Sequence, residues 1–198
     1  EEGLAAGKDP SQLPDPRSFK KRVGALISVG GAMTKNWLAF MLPIMYEFTM
    51  SMGIDVIDMH EYHGAMACEH VLGNDKQMER MRKMGQNIAE ALKAETDGER
   101  AKWRGDEEGV CPVCHLNMLN VSPDRKSVEC PVCGIKGEFE VKDGKLEVSF
   151  SEEEQNRSRL RWAGKLEHST EIKTQAVGPG QIPNLKELKV PYIGYAEK

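Results

Sequence analysis

Several features are scarce in this 198-residue chain, and each scarcity removes a class of protein. No apolar run approaches the ~18 residues needed to cross a bilayer. The longest, Trp37 to Met45, passes straight into Tyr46, Glu47 and Thr49 and reads as a core helix. No membrane span is expected, and no signal peptide is visible, because the first twenty residues are acidic and Pro-rich, then basic. Positive charge is not in excess: 27 Lys+Arg stand against 31 Asp+Glu, a net −4, which gives no general pull toward nucleic acid or anionic membrane. There is no internal repeat and no low-complexity tract. The start lacks Met, and Glu1-Glu2-Gly3-Leu4 reads as a processed or partial chain. Cysteines number five, as two close pairs plus Cys68. Such pairing favours thiolate ligands in a reducing compartment over disulfides, so a cytoplasmic location is expected.

With 39% hydrophobic and 29% charged residues, the chain has a core and ample surface. Residues 1 to 20 carry turn and linker chemistry. Arg22-Val-Gly-Ala-Leu-Ile-Ser-Val29 is a continuous apolar run, the pattern of a strand buried on both faces. Gly30-Gly31 ends it, and a helix is predicted from about Asn36 to Met52, with Gly53 as its C′ residue. Pro43 inside that span predicts a kink or a shifted helix start. Ile54 to Met59 reads as a second strand, followed by a loop holding His60, Tyr62, His63, Cys68 and His70. Asn74 with Gln77 three residues on predicts a capped helix of about twenty residues. Its apolar face is read as Met78, Met81, Gly85, Ile88 and Leu92, with Arg80, Arg82 and Lys83 on a solvated face.

Cys111-Pro-Val-Cys114 and Cys130-Pro-Val-Cys133 stand fifteen residues apart, and two C-x₂-C turns supply the four ligands of a closed structural zinc site. Proline fixes φ within each turn. His115 and Gly134 follow the two knuckles, where a left-handed residue is needed. Beyond them Glu138 to Phe150 alternates around Asp143-Gly144, a type I′ hairpin signal. Knuckle plus hairpin resembles the zinc-ribbon family. Two disulfides, or iron in a rubredoxin-like site, are the competing readings. A catalytic zinc is disfavoured, since four thiolates leave no position for water. Residues 111 to 150 carry five cations (Arg125, Lys126, Lys136, Lys142, Lys145) against six acids (Asp124, Glu129, Glu138, Glu140, Asp143, Glu147), so no basic face for phosphates is predicted.

Strand, Gly-Gly loop, helix, strand, loop and helix make half of a doubly wound parallel α/β domain. On Val23-Gly-Ala-Leu-Ile-Ser-Val-Gly-Gly31, Val71-Leu-Gly-Asn-Asp75 and Met84-Gly-Gln-Asn-Ile-Ala-Glu-Ala-Leu92, residues 21 to 93 resemble the C-terminal half of a flavodoxin-like NADPH-dependent FMN reductase, including the iron-sulfur flavoprotein branch. The resemblance implies that Gly30, Gly31, Ala32, Met33 and Thr34 border FMN, with a looser carry-over for Lys35, Asn36 and Trp37. It further implies hydride transfer from NAD(P)H through the flavin. The family's phosphate loop follows its first strand and another flavin loop its third, and neither is present here. The iron-sulfur branch's cysteine cluster is also missing, so no such centre is expected at Cys68.

The expected organisation is a flavodoxin-like half over 1–96, a charged linker over 97–109, a zinc ribbon over 110–150, and a helix with an extended arm over 151–198. Ser151 with Glu154 starts that helix, anchored by Leu160 and Leu166. Gly178-Pro179-Gly180, Pro183 and Pro191 punctuate the arm. Val190 to Tyr195 is apolar enough to dock on the core or on a neighbouring subunit, so a homo-oligomer or partner subunit is expected. Two functional classes remain open at this point: an NAD(P)H-dependent FMN oxidoreductase with structural zinc, and a non-enzymatic ribbon module that binds a protein partner. For the histidine loop, substrate or partner contact competes with plain solvation.

Overall fold

The structure, a computed structural model, describes residues 20–67, 69–94, 100–175 and 181–194. Strand β1 (Val23–Gly30) pairs in parallel with β2 (Asp55–His63), and helix α1 (Met41–Ser51) makes the crossover between them. A 3₁₀ turn at Lys35–Trp37 precedes α1. The shifted start expected from Pro43 is found: the helix begins at Met41, placing the proline in its first turn, where backbone N–H groups lack intrahelical partners. Its end is equally legible. Gly53 has φ 66°, and its N–H and that of Ile54 donate to the carbonyls of Met50 and Thr49, the paired bonds of a Schellman cap.

β2 runs four residues beyond the predicted strand, so His60, Tyr62 and His63 lie on it rather than in a loop. The register slips once: Gly24 faces Val56 but Ala25 faces Asp58, leaving Ile57 as a bulge. A bulge reverses the alternation of side chains past it. Val56 therefore enters the core with Tyr46 of α1, whereas Asp58 turns to the opposite face and meets helix α3 (Asp75–Lys93). Beyond the bulge Met59 packs against the core side and His60 reaches Gln77 on α3. The pair of strands is thus covered by α1 on one face and α3 on the other, the doubly wound arrangement. A one-turn helix α2 (Glu69–Leu72) leads into α3, whose Asn74 cap accepts the Gln77 N–H at 3.2 Å as predicted.

The inward stripe of α3 is not the predicted one. Met84, Asn87 and Ala91 are buried, whereas Leu92 and Gly85 are exposed. Arg80, one turn before Met84, belongs to the inward side and is not on a solvated face. Two of its Nη atoms clasp Asp58, and Asn87 Nδ2 donates to the same carboxylate at 2.8 Å. A hydrophobic pattern misses such a stripe because half of it is polar.

Residues 100–107 run beside the outer edge of β2. Arg104 N–H donates to the Ile57 carbonyl at 2.8 Å, and Ala101 N–H donates to Asp55 at 2.9 Å. This charged stretch, expected to be solvated, instead straps the strand. It delivers the chain to the ribbon, whose antiparallel sheet has the order β3 (Asn120–Val121), β4 (Ser127–Glu129), β5 (Lys136–Lys142), β6 (Lys145–Ser149). Asp143 and Gly144 have φ 51° and 74° at the predicted hairpin tip.

The ribbon is not a separate appendage. One continuous core holds Leu26, Tyr46 and Val56 together with Val113, Leu116, Val132, Ile135 and Leu160. The region after it splits in two: α4 (Glu152–Asn156) starts at Ser151 as predicted, and α5 (Trp162–Gln175) follows a break that buries Ser158 and Leu160. The arm holds a short helix α6 (Leu185–Lys189) and a 3₁₀ turn at Val190–Tyr192, so it is coiled there rather than extended. Val190, Tyr192 and Ile193 are exposed. Residues 1–19, Cys68 and Tyr195 lie outside the described residues. Among the described residues, no helix is long and apolar enough to cross a membrane.

Candidate functional site

The four sulfurs of Cys111, Cys114, Cys130 and Cys133 lie within 4.8 Å of one another, and all four residues are fully buried. Cys111 and Cys133 are 3.6 Å apart, and Cys114 and Cys130 are 3.5 Å apart. A disulfide needs about 2.05 Å, so these are not bonded sulfurs. Sulfurs placed tetrahedrally at 2.3 Å from one zinc would be about 3.8 Å apart, so the donor set fits such an ion. The two knuckles are built alike. His115 N–H donates to the Cys111 carbonyl and Gly134 N–H to the Cys130 carbonyl, each at 2.9 Å. His115 and Gly134 have φ 61° and 69°, as the sequence required. Contacts with the other three sulfurs, Cys114 first, hold the Cys111 thiol below the ordinary thiol range; the same contacts push Cys114 up. A shared dication resolves that contest by taking all four as thiolates.

The centre touches the α/β unit through Tyr46, which has no exposed surface. Burial pushes its phenol well above the usual range, with Cys114 and Cys133 adding to the rise. Its hydroxyl accepts a 3.0 Å hydrogen bond from Arg100 Nη2. The same guanidinium donates from Nη1 to the Val113 carbonyl at 3.0 Å and from Nε to Asp55 at 3.2 Å. Arg100 thereby ties β2, α1 and the first knuckle together. Beside it, Trp103 stacks on His115 with ring centroids 4.2 Å apart. None of these contacts was legible from sequence, because each joins positions far apart in the chain.

The predicted flavin-loop residues lie together at the carboxyl end of β1. Gly30 accepts from Ala65 N–H, and Ala32 accepts from Gly64 N–H, each at 3.0 Å, so the loops after β1 and β2 are stitched side by side. A Cβ on Gly30 would sit 2.5 Å from a Leu38 methyl, so a side chain there would have to displace Leu38. Gly31, Met33 and Thr34 face solvent, and Met33 and Trp37 are 77% and 73% exposed. Gly30, Gly31 and Ala32 carry little or no side chain, so the backbone of this loop stays approachable at the strand ends.

Next to it lies a cleft of about 690 Å³, within the size range of ligand pockets. It is bounded by the end of β2, the start of α1, the strap and the first knuckle. A wider groove of about 1350 Å³ opens near Arg22 and Gly53 instead, at the amino ends of the strands. Ligands of open α/β sheets sit at the carboxyl ends, which favours the smaller cleft. Within it, His63 Nε2 meets Glu61 Oε1 at 2.6 Å. Of the two other histidines from this stretch, His60 is engaged with Gln77 and His70 faces the Gly64 carbonyl. Among the described residues the four-cysteine group alone clusters as metal ligands.

Fold and centre define the class: a doubly wound α/β unit sharing one core with a four-cysteine ribbon. No protein-family model matches the chain. Over 185 residues, 93% of its length, the chain is 35% identical to the flavone synthase cfoJ of Aspergillus candidus. A solved flavone reductase superposes with a TM-score of 0.71 at 28% identity, over 92% of this chain. The chain spans 56% of the first protein and 60% of the second. The names of these relatives support an oxidoreductase type of function.

Proposed function

We propose that this chain is the C-terminal portion of an NAD(P)H-dependent FMN oxidoreductase that acts on flavone-type compounds, with structural zinc in the ribbon. The similarity to the flavone synthase along 93% of the chain carries the reading, because it runs through both the glycine loop and the ribbon. When bound, FMN supplies hydride chemistry. Gly30 to Thr34 border its ring edge, and Gly30 and Gly31 let the backbone approach. The stitched loop at Gly64–Ala65 fixes their position. The zinc is held by Cys111, Cys114, Cys130 and Cys133 and takes no part in the reaction, since its ligand shell is full. Reconstitution tests the reading. The chain is mixed with a polypeptide supplying the missing half of the sheet, then with FMN, NADPH and a flavone. Flavin absorbance retained through gel filtration and flavone-dependent NADPH oxidation are expected; a mixture that stays colourless and inactive argues for the ribbon-module alternative.

A further inference from the structure

The cleft beside the glycine loop is built wholly from this chain, on the side of the sheet that the strap closes. Its walls are apolar at Leu42, Pro43, Met59, Leu116 and Leu119, and the stacked Trp103–His115 pair adds an aromatic border. One polar group stands out. His63 and Glu61 are two apart on a strand and so project to the same side. With Nε2 committed to the Glu61 carboxylate, the His63 Nδ1 is buried and has no hydrogen-bond partner. A buried polar atom left unpaired costs about 1–3 kcal/mol, and native structures keep few of them. A carboxylate on one imidazole nitrogen fixes the tautomer, which leaves the other nitrogen as an acceptor.

We propose that the cleft takes a planar hydroxylated aromatic ligand and that His63 Nδ1 accepts its phenolic proton, with Glu61 as the positioning residue. The phenolic O–H breaks as the Nδ1–H bond forms. The phenolate is left beside an imidazolium whose charge the Glu61 carboxylate balances. Other charges lining the cleft are Lys35 from the 3₁₀ turn, Arg80 from α3, and Asp106 and Glu107 from the strap. Lys35 and Arg80 favour the phenolate, whereas the two acids oppose it. Arg80 is already shared between Asp58 and Asp106, whereas Lys35 has no carboxylate partner among the described residues to divide its charge. This inference rests on the flavone reading only for its choice of ligand.

The test uses the 198-residue chain and 7-hydroxyflavone, whose phenolate absorbs at longer wavelength than the phenol. Titrating the bound ligand with base should show its ionisation midpoint about one pH unit below that of free ligand. His63→Gln should keep binding within a few-fold and abolish the shift, and Glu61→Gln should reduce it. A bound ligand that ionises alike in wild type and His63→Gln overturns the proton-accepting role while leaving the flavone reading in place. A chain that binds neither 7-hydroxyflavone nor unsubstituted flavone overturns the cleft assignment. Flavin retention in the reconstituted protein would then still judge the oxidoreductase reading separately.

Discussion

Tyr46 and Arg100, fifty-four positions apart, meet through a 3.0 Å hydrogen bond at the junction of helix α1, strand β2 and the first cysteine knuckle. Removing only the hydroxyl with Tyr46→Phe should cost about 1 kcal/mol, the usual net worth of a buried hydrogen bond. Tyr46→Ala empties the shared core and should cost about 3–5 kcal/mol, as large aromatic truncations do. Urea unfolding followed by fluorescence and by far-ultraviolet circular dichroism should show both losses with coincident transitions.

Because the cysteines and the α/β strands share one core, metal removal should not stop at the ribbon. Zinc should be found at one ion per chain, and a strong chelator should abolish the helical signal of α1 and α3 along with the ribbon. Cys111→Ser and Cys130→Ser should act alike. Protons compete for thiolates, so metal affinity should fall as pH falls and recover as it rises. A ribbon that merely hung from the fold would lose metal and leave the helical signal unchanged.

The fully buried Asp58 gives a third expectation. Asp58→Ala leaves the Arg80 guanidinium with only Asp106 and the Met59 carbonyl, and Asn87 Nδ2 with only the Arg104 carbonyl, and should cost about 3 kcal/mol. The double variant Asp58→Leu with Arg80→Met removes both charges and should recover much of that loss, measurable in the same unfolding experiment.

Two left-handed glycines separate strain from crowding. Gly109 has φ 69°, and a Cβ there would stand 2.1 Å from the His115 carbonyl oxygen. Gly144 has φ 74° with open space around it. Gly144→Ala should cost about 1 kcal/mol, from backbone strain alone. Gly109→Ala should cost distinctly more and loosen metal binding, because the knuckle must shift. Zinc retention during dialysis checks the difference.

Features set by local chemistry could be read from sequence. The Asn74 and Ser151 caps, Gly53, the displaced start around Pro43, the knuckles at His115 and Gly134, and the Asp143-Gly144 tip each depend on a few neighbouring residues. The cysteine centre was legible for the same reason, since its spacing carries its geometry. What escaped depends on distant partners. The run around Arg100 is charged enough to look solvated, yet Asp55, Tyr46 and Val113 absorb its guanidinium. The Ile57 bulge leaves no compositional mark, and it alone decides that Asp58 faces α3. The His63–Glu61 pair was hidden because β2 outruns its apolar stretch.

The strap also gives the sheet a direction of growth. Residues 100–107 occupy the outer margin of β2, whereas the far side of β1 carries no neighbouring strand among the described residues. A further strand can therefore join at β1, and Ile27 and Val29, about half exposed, are the first side chains it would cover. Prepared by itself, such an open margin invites chance pairing between molecules, a liability that a correct neighbour removes.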